Sequence, residues 1–177
     1  MLLLEVIPPT KAPALLGESW GFWLQFIVLV VTACIALYTI IRNESMARKR
    51  ATIDLVLSEN QDEKFRDIKE KYSIMREGGE NFTALAMPCT SSTDVDILAH
   101  ANKKEIAIAI LNQYEFIASA ILEKSLDEKL YKRMKRGVVI RDWHALKPFV
   151  MELRRNHNRQ KIFCETETLV TKWEKRP

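Results

Sequence analysis

Asn112, Glu115 and Ser119 are spaced three and four residues apart, which puts all three on one face of a helix that is otherwise apolar. A carboxylate among apolar neighbours needs a cationic partner or a raised pKa. The spacing nominates Arg141, beside Trp143 on the following helix, as that partner. Two kinds of chemistry fit this polar core of Asn112, Glu115, Ser119 and Arg141. It can be a pocket in which Glu115 works as an acid or base, making the chain an effector enzyme. It can equally be a buried Glu115–Arg141 pair that fixes helix register. The second reading is favoured, because no other catalytic group stands close to Glu115 in the sequence.

The remaining reactive residues form no recognised constellation. His100, His144 and His157 are never four apart on a helix, and no H-E-x-x-H occurs, so no metal site is expected. Cys34, Cys89 and Cys164 give neither a paired CxxC nor a disulfide framework, which fits a reducing compartment. There is no phosphate loop and no nucleophile elbow. No catalytic residue, metal or cofactor is therefore assigned, and an enzyme is the less favoured reading.

Basic residues are arranged more regularly. Lys129, Lys132, Arg133 and Arg136 follow the i, i+3, i+4, i+7 pattern of a helical stripe. Leu130 and Met134 are expected to lie away from it and pack against the helix containing Tyr114. Arg154, Arg155, Arg159 and Lys161 form a second cluster with His157, and Arg48, Lys49 and Arg50 a third. Lysines and arginines near a membrane surface gain about 1 kcal/mol each from anionic headgroups. The stripe and the residue 48–50 cluster thus form a candidate surface for anionic lipid. Nucleic acid is the rival ligand, disfavoured because few aromatics interleave with the charges. A merely solvated face is the third reading.

These residues have to be positioned by helices. Glycine is scarce, at five residues, and helical spacing recurs while strand-like alternation is absent. Residues 20–41 form a run of 22 without a charge. As a helix they reach about 33 Å, against a hydrocarbon core of about 30 Å. Trp20, Phe22 and Trp23 stand at one end and Tyr38 near the other, as interfacial aromatics do. Lys11, Glu5 and Glu18 precede the run, whereas Arg42, Arg48, Lys49 and Arg50 follow it closely, so the C-terminal side is expected in the cytoplasm. The start is too acidic and the run too long for a cleaved signal peptide. Val31-Thr32-Ala33-Cys34 resembles a lipoprotein cleavage box, but cleavage there would send the basic cluster outward, against the charge rule.

The chain therefore divides into residues 1–19, a short extracytoplasmic segment with Pro8, Pro9 and Pro13 and no fixed structure; 20–41, a transmembrane helix; 42–61, a juxtamembrane helix; and 62–177, a cytoplasmic helical domain. Within that domain Asp62 caps a helix ended by Gly78-Gly79. Residues 80–93 read as a loop. A core helix runs from about Asp94 to Lys124. Ser125 to Glu128 reads as a capping box opening a helix to Leu146. Pro148 starts a short helix to Arg155. A last helix closes the chain with Leu169, Val170 and Trp173 turned inward. The 27 basic and 23 acidic residues leave a small positive excess, suited to life beside an anionic membrane without demanding nucleic acid.

Ile110-Leu111-Asn112 with Tyr114-Glu115-Phe116-Ile117-Ala118, then Leu126-Asp127-Glu128, then Arg141-Asp142-Trp143 with Lys147-Pro148-Phe149, make up an ordered series of motifs. With Arg154, Glu167-Thr168-Leu169 and Trp173, the series resembles a bacterial and phage domain-of-unknown-function family numbered 4760, over residues 53–173. The resemblance implies an all-α protein with one N-terminal transmembrane helix and a multi-helix bundle, in a bacterial inner membrane. It brings no activity and no functional residues. The expected role is a membrane-anchored interaction or regulatory module, in a process that can be phage-related, with a protein partner or self-association and the membrane itself as partners.

Overall fold

The computed structural model of the chain describes residues 14–15, 18–89 and 93–175. The expectations for the remaining residues of the first 19, and for the Thr90-Ser91-Ser92 part of the loop, lie outside the described residues. Over the described residues the chain is all-α, apart from a two-residue antiparallel pairing of Ala14–Leu15 with Glu18–Ser19. Among the described residues six helices follow: α1 Trp20–Gln61, α2 Glu63–Glu77, α3 Phe82–Ala86, α4 Asp94–Leu122, α5 Glu128–His157 and α6 Cys164–Lys175. Contacts divide the chain into two units, Met1–Ser45 and Met46–Pro177.

In the first unit, α1 carries the charge-free run, and its large apolar side chains from Trp20 to Ile41 are nearly all exposed. The two hydroxyls of the run are satisfied within the helix: Thr32 Oγ1 donates to the Val28 carbonyl and Thr39 Oγ1 to the Ile35 carbonyl, each at 2.8 Å. A helix in an apolar solvent has to satisfy its polar groups internally in this way. Helices α1 and α4 are both long and apolar enough to cross a membrane. They differ in what covers them. A third of the apolar stretch of α4 is buried inside the protein and none of that of α1.

In the second unit, α4 packs against α2, α3, α5 and α6. Its Ala107, Ile110, Leu111, Ile117, Ala118 and Ile121 are buried at helical spacing. Tyr72 and Met75 of α2, Leu146, Phe149 and Val150 of α5, and Leu169, Val170 and Trp173 of α6 complete the core. Asp62 caps α2, accepting from Phe65 N at 3.1 Å, and Gly79, at φ +72°, follows its end in the left-handed conformation that glycine adopts without strain.

Three local expectations need correction. Ser125 is not a cap. Its N–H and that of Leu126 are spent on the Ala120 carbonyl, closing α4, and Asp127 caps α5 instead, accepting from Leu130 N at 2.8 Å. Glu128 does not reach back; it turns to α6. Second, α5 continues through Pro148 as one helix. A proline inside a helix costs about 3 kcal/mol. Leu146, Phe149 and Val150, on either side of it, are fully buried, at about 1.5–3 kcal/mol each, and outweigh that cost. Third, the stretch read as a loop contains α3, capped by Asn81 and held by buried Phe82, Leu85 and Ala86.

Candidate functional site

The spacing of α5 decides what the domain buries at its centre. Tyr131, Lys135, Val139, Asp142 and Leu146 recur every three or four residues, and this row, not Leu130 and Met134, faces inward. Tyr131 is 1% exposed and Met134 41%. The row meets α1 at Glu59, α2 at Phe65, Lys69, Tyr72 and Arg76, and α4 at Ile110, Gln113 and Tyr114 around a cavity of about 150 Å³.

Two carboxylates anchor this cavity. Asp142 has a side chain only 5% exposed. Arg76 Nη1 donates to its Oδ1 at 2.6 Å, Arg141 Nε to the same oxygen at 3.2 Å, and the Tyr114 hydroxyl to Oδ2 at 2.8 Å. Three elements thus converge on one aspartate, as a buried charge requires. Glu59, with a side chain 6% exposed, accepts from Gln113 Nε2 at 2.9 Å. Lys69 and Lys135 lie 3.5 and 3.6 Å from its other oxygen. Lys69 also sits 4.5 Å above the Phe65 ring.

Electrostatics follow from this arrangement. Burial, then the Asp142 charge and hydrogen bond, push the Tyr114 hydroxyl far above its usual value. Burial and Glu59 do the same to Tyr131, and burial and Asp142 to Tyr72. All three phenols therefore stay protonated at neutral pH, and Tyr72 and Tyr114 donate to the Asp142 carbonyl and carboxylate respectively. Burial works against the Arg76 charge, but Asp142 outweighs it and holds the guanidinium above its ordinary value.

Glu115 lies elsewhere and has a different partner from the one expected. Its Oε1 accepts from Glu165 N at 3.1 Å, and its Oε2 from Thr166 N at 2.9 Å and Thr166 Oγ1 at 2.7 Å. It caps the first turn of α6, where free N–H groups and the helix dipole favour negative charge. Arg141 is paired with Asp142 instead, and its side chain is 56% exposed. Asn112 is exposed and Ser119 half-buried, so the four residues of the expected polar core are not brought together.

The basic stripe is split. Lys129 and Arg133 are exposed, whereas Lys132 and Arg136 are half-buried. Arg136 Nη2 donates to the Trp173 carbonyl at 3.0 Å, tying α5 to the end of α6. On the same side Glu128 accepts from Lys172 Nζ at 2.6 Å and Trp173 Nε1 at 3.1 Å. Burial alone raises the Glu128 carboxyl. The hydrogen bonds from Lys172 and Trp173, with the Lys172 and Lys132 charges, outweigh it and hold the group below its ordinary value. Lys49 and Arg50 are exposed and Arg48 half-buried. In the second cluster Arg154 is buried, donating to the Ile162 carbonyl at 2.9 Å and to Glu167 at 2.7 Å, so it acts inside the fold.

Cys164 is no activated nucleophile: burial and the neighbouring Glu165 push its thiol up. Among the described residues, no group of three His, Cys, Asp or Glu could hold a metal ion.

Sequence reasoning missed Glu59, Lys69, Arg76, Lys135 and Asp142. One signal was present. Thr52, Val56 and Glu59 repeat at four and three residues on α1, in phase with a buried face, although two of the three are polar. No curated protein and no solved structure matches the chain. The order and spacing of its helical motifs agree with one family model, that of a domain of unknown function, DUF4760, which matches residues 26–173, and the chain belongs to that family.

Proposed function

We propose that the chain is a single-span protein of a bacterial inner membrane, anchored by residues 20–41, with the unit Met46–Pro177 in the cytoplasm acting as an interaction or regulatory module. The observation that carries the anchor is that the charge-free stretch of α1 has none of its residues buried by the protein. Its Leu, Ile, Val and Phe residues each favour insertion by about 0.3–0.6 kcal/mol, and no charge, at about +3 kcal/mol, opposes them. Arg42, Arg48, Lys49 and Arg50 on the C-terminal flank support the orientation.

Support for binding over catalysis comes from the buried Asp142 and the half-buried Glu115. Asp142 and Glu115 each take two or more donors within the protein, and so hold helices together. Anionic headgroups as ligands for Arg48, Lys49, Arg50, Lys129, Lys132, Arg133 and Arg136 belong to the same proposal. Lys49, Arg50, Lys129 and Arg133 are its exposed members.

Membrane fractionation tests the anchor. The full chain stays in the pellet after alkaline carbonate washing. A chain with Leu29, Val30 and Val31 replaced by aspartates moves to the supernatant. Release of the unaltered chain by the same wash would sink the proposal.

A further inference from the structure

The central cavity carries more positive than negative charge. Among its lining residues Lys69, Lys135, Arg76 and Arg141 outnumber Glu59 and Asp142, with Glu77 pairing to Arg76 from outside the lining. At the Glu59 end, two ammonium groups share one carboxylate oxygen at 3.5 and 3.6 Å. A tight charge-assisted hydrogen bond is about 2.7–2.9 Å long, so neither ammonium is held closely. Each ammonium carries three donors, more than a shared oxygen can accept. Phe65, Ile110 and Val139, from three helices, supply apolar lining. A cavity of about 150 Å³ accommodates a body the size of a benzene ring.

We propose that this cavity is a binding site for a small organic anion, with a carboxylate or phosphate head between Lys69 and Lys135 and a compact apolar body against Phe65, Ile110 and Val139. Glu59 is the internal competitor: it pairs with the two partly exposed ammoniums through one oxygen and shares them with the head of a bound ligand. Tyr114 and Tyr131 border the same space, the Tyr114 hydroxyl being held by Asp142. The inference deepens the binding role proposed above by naming a ligand class, and it is independent of sidedness or membrane attachment.

The test is a titration of the detergent-solubilised full chain with phenyl phosphate, benzoate and inorganic phosphate, read by calorimetry and by the melting temperature. Phenyl phosphate or benzoate binds saturably and raises the melting temperature with concentration, as a ligand of the folded state must. Lys69→Gln and Lys135→Gln each weaken that binding about tenfold or more. Glu59→Gln strengthens it, because both ammoniums lose their competitor. This opposite sign is what a purely structural cluster would not produce, and it keeps the test decisive where a lysine variant folds poorly. Absence of saturable binding by all three probes up to about 10 mM overturns the proposal. So does binding that Glu59→Gln weakens. Inorganic phosphate binding as tightly as phenyl phosphate overturns the apolar half of the site. Because the titration needs no bilayer, its failure leaves the anchoring result standing, and the converse also holds.

Discussion

Glu115 on α4 and Thr166 on α6 meet through three atoms: one carboxylate oxygen accepts both the Thr166 backbone N–H, at 2.9 Å, and its hydroxyl, at 2.7 Å. Thr166 is buried, and Glu165 N completes the contact on the second oxygen. A carboxylate from one helix thus does for another what an N-cap residue ordinarily does for its own. The arrangement locks α6, and with it Trp173, onto the core.

This contact sets the first prediction. Glu115→Ala leaves two N–H groups and a hydroxyl of α6 without their acceptor and lowers stability by about 2–3 kcal/mol. Thr166→Val costs about 1 kcal/mol, since it removes one of the three bonds. Denaturant unfolding of the two single variants and the double variant measures the coupling, expected at about 0.5–3 kcal/mol. Full additivity would show that the two side chains do not act together.

Asp142 is the second hub, and its loss should be more severe. Asp142→Ala strips Arg76 and the Tyr114 hydroxyl of their shared partner in the interior. Breaking a buried pair from one side costs about 3–5 kcal/mol. Tyr114→Phe removes a single hydrogen bond and costs about 0.5–1.5 kcal/mol. Arg141→Ala stays below about 1 kcal/mol, because that side chain is more than half exposed. Chemical denaturation ranks the three, and an Arg141 effect as large as that of Asp142 would contradict the geometry.

The helical architecture was legible in the sequence because its signals are local. Asp62, Gly78-Gly79 and the apolar circumference of α4 place their elements without knowledge of the rest. The site was not legible, for a physical reason found on α5. Its inward row includes Lys135 and Asp142, charged residues that a hydrophobicity pattern assigns to the surface. Choosing Leu130 and Met134 as the inner face rotates the helix by one residue, about 100°. The apolar surroundings of Glu115 on its helix imply that it needs partners, yet two of its three donors are backbone N–H groups, which no residue type announces. Ser125 shows the same limit: as a residue type it suits a cap, but its N–H closes the preceding helix.

The tyrosines give a prediction in pH. Tyr72, Tyr114 and Tyr131 all have hydroxyls pushed up by burial and neighbouring carboxylates. In the unfolded chain a phenol loses its proton near pH 10. Below that pH both states keep the proton and stability is unaffected. Above it the unfolded state alone ionises, and stability falls by about 1.4 kcal/mol per pH unit for each tyrosine. In a Tyr38→Phe background, phenolate absorbance should therefore appear together with unfolding followed by circular dichroism. Ionisation well before unfolding would show that the three hydroxyls are accessible.

Cys89 offers the most direct check on the membrane-anchored account. It lies after α3 in the second unit, half-buried and without a disulfide. With Cys34 and Cys164 replaced by alanine, it is the one remaining thiol of the three in the chain. Labelling with a membrane-impermeant maleimide, compared between intact spheroplasts and inverted inner-membrane vesicles, reports the side on which the helical domain stands. The account predicts labelling in inverted vesicles and protection in spheroplasts until the membrane is permeabilised with detergent. Labelling in intact spheroplasts would contradict it.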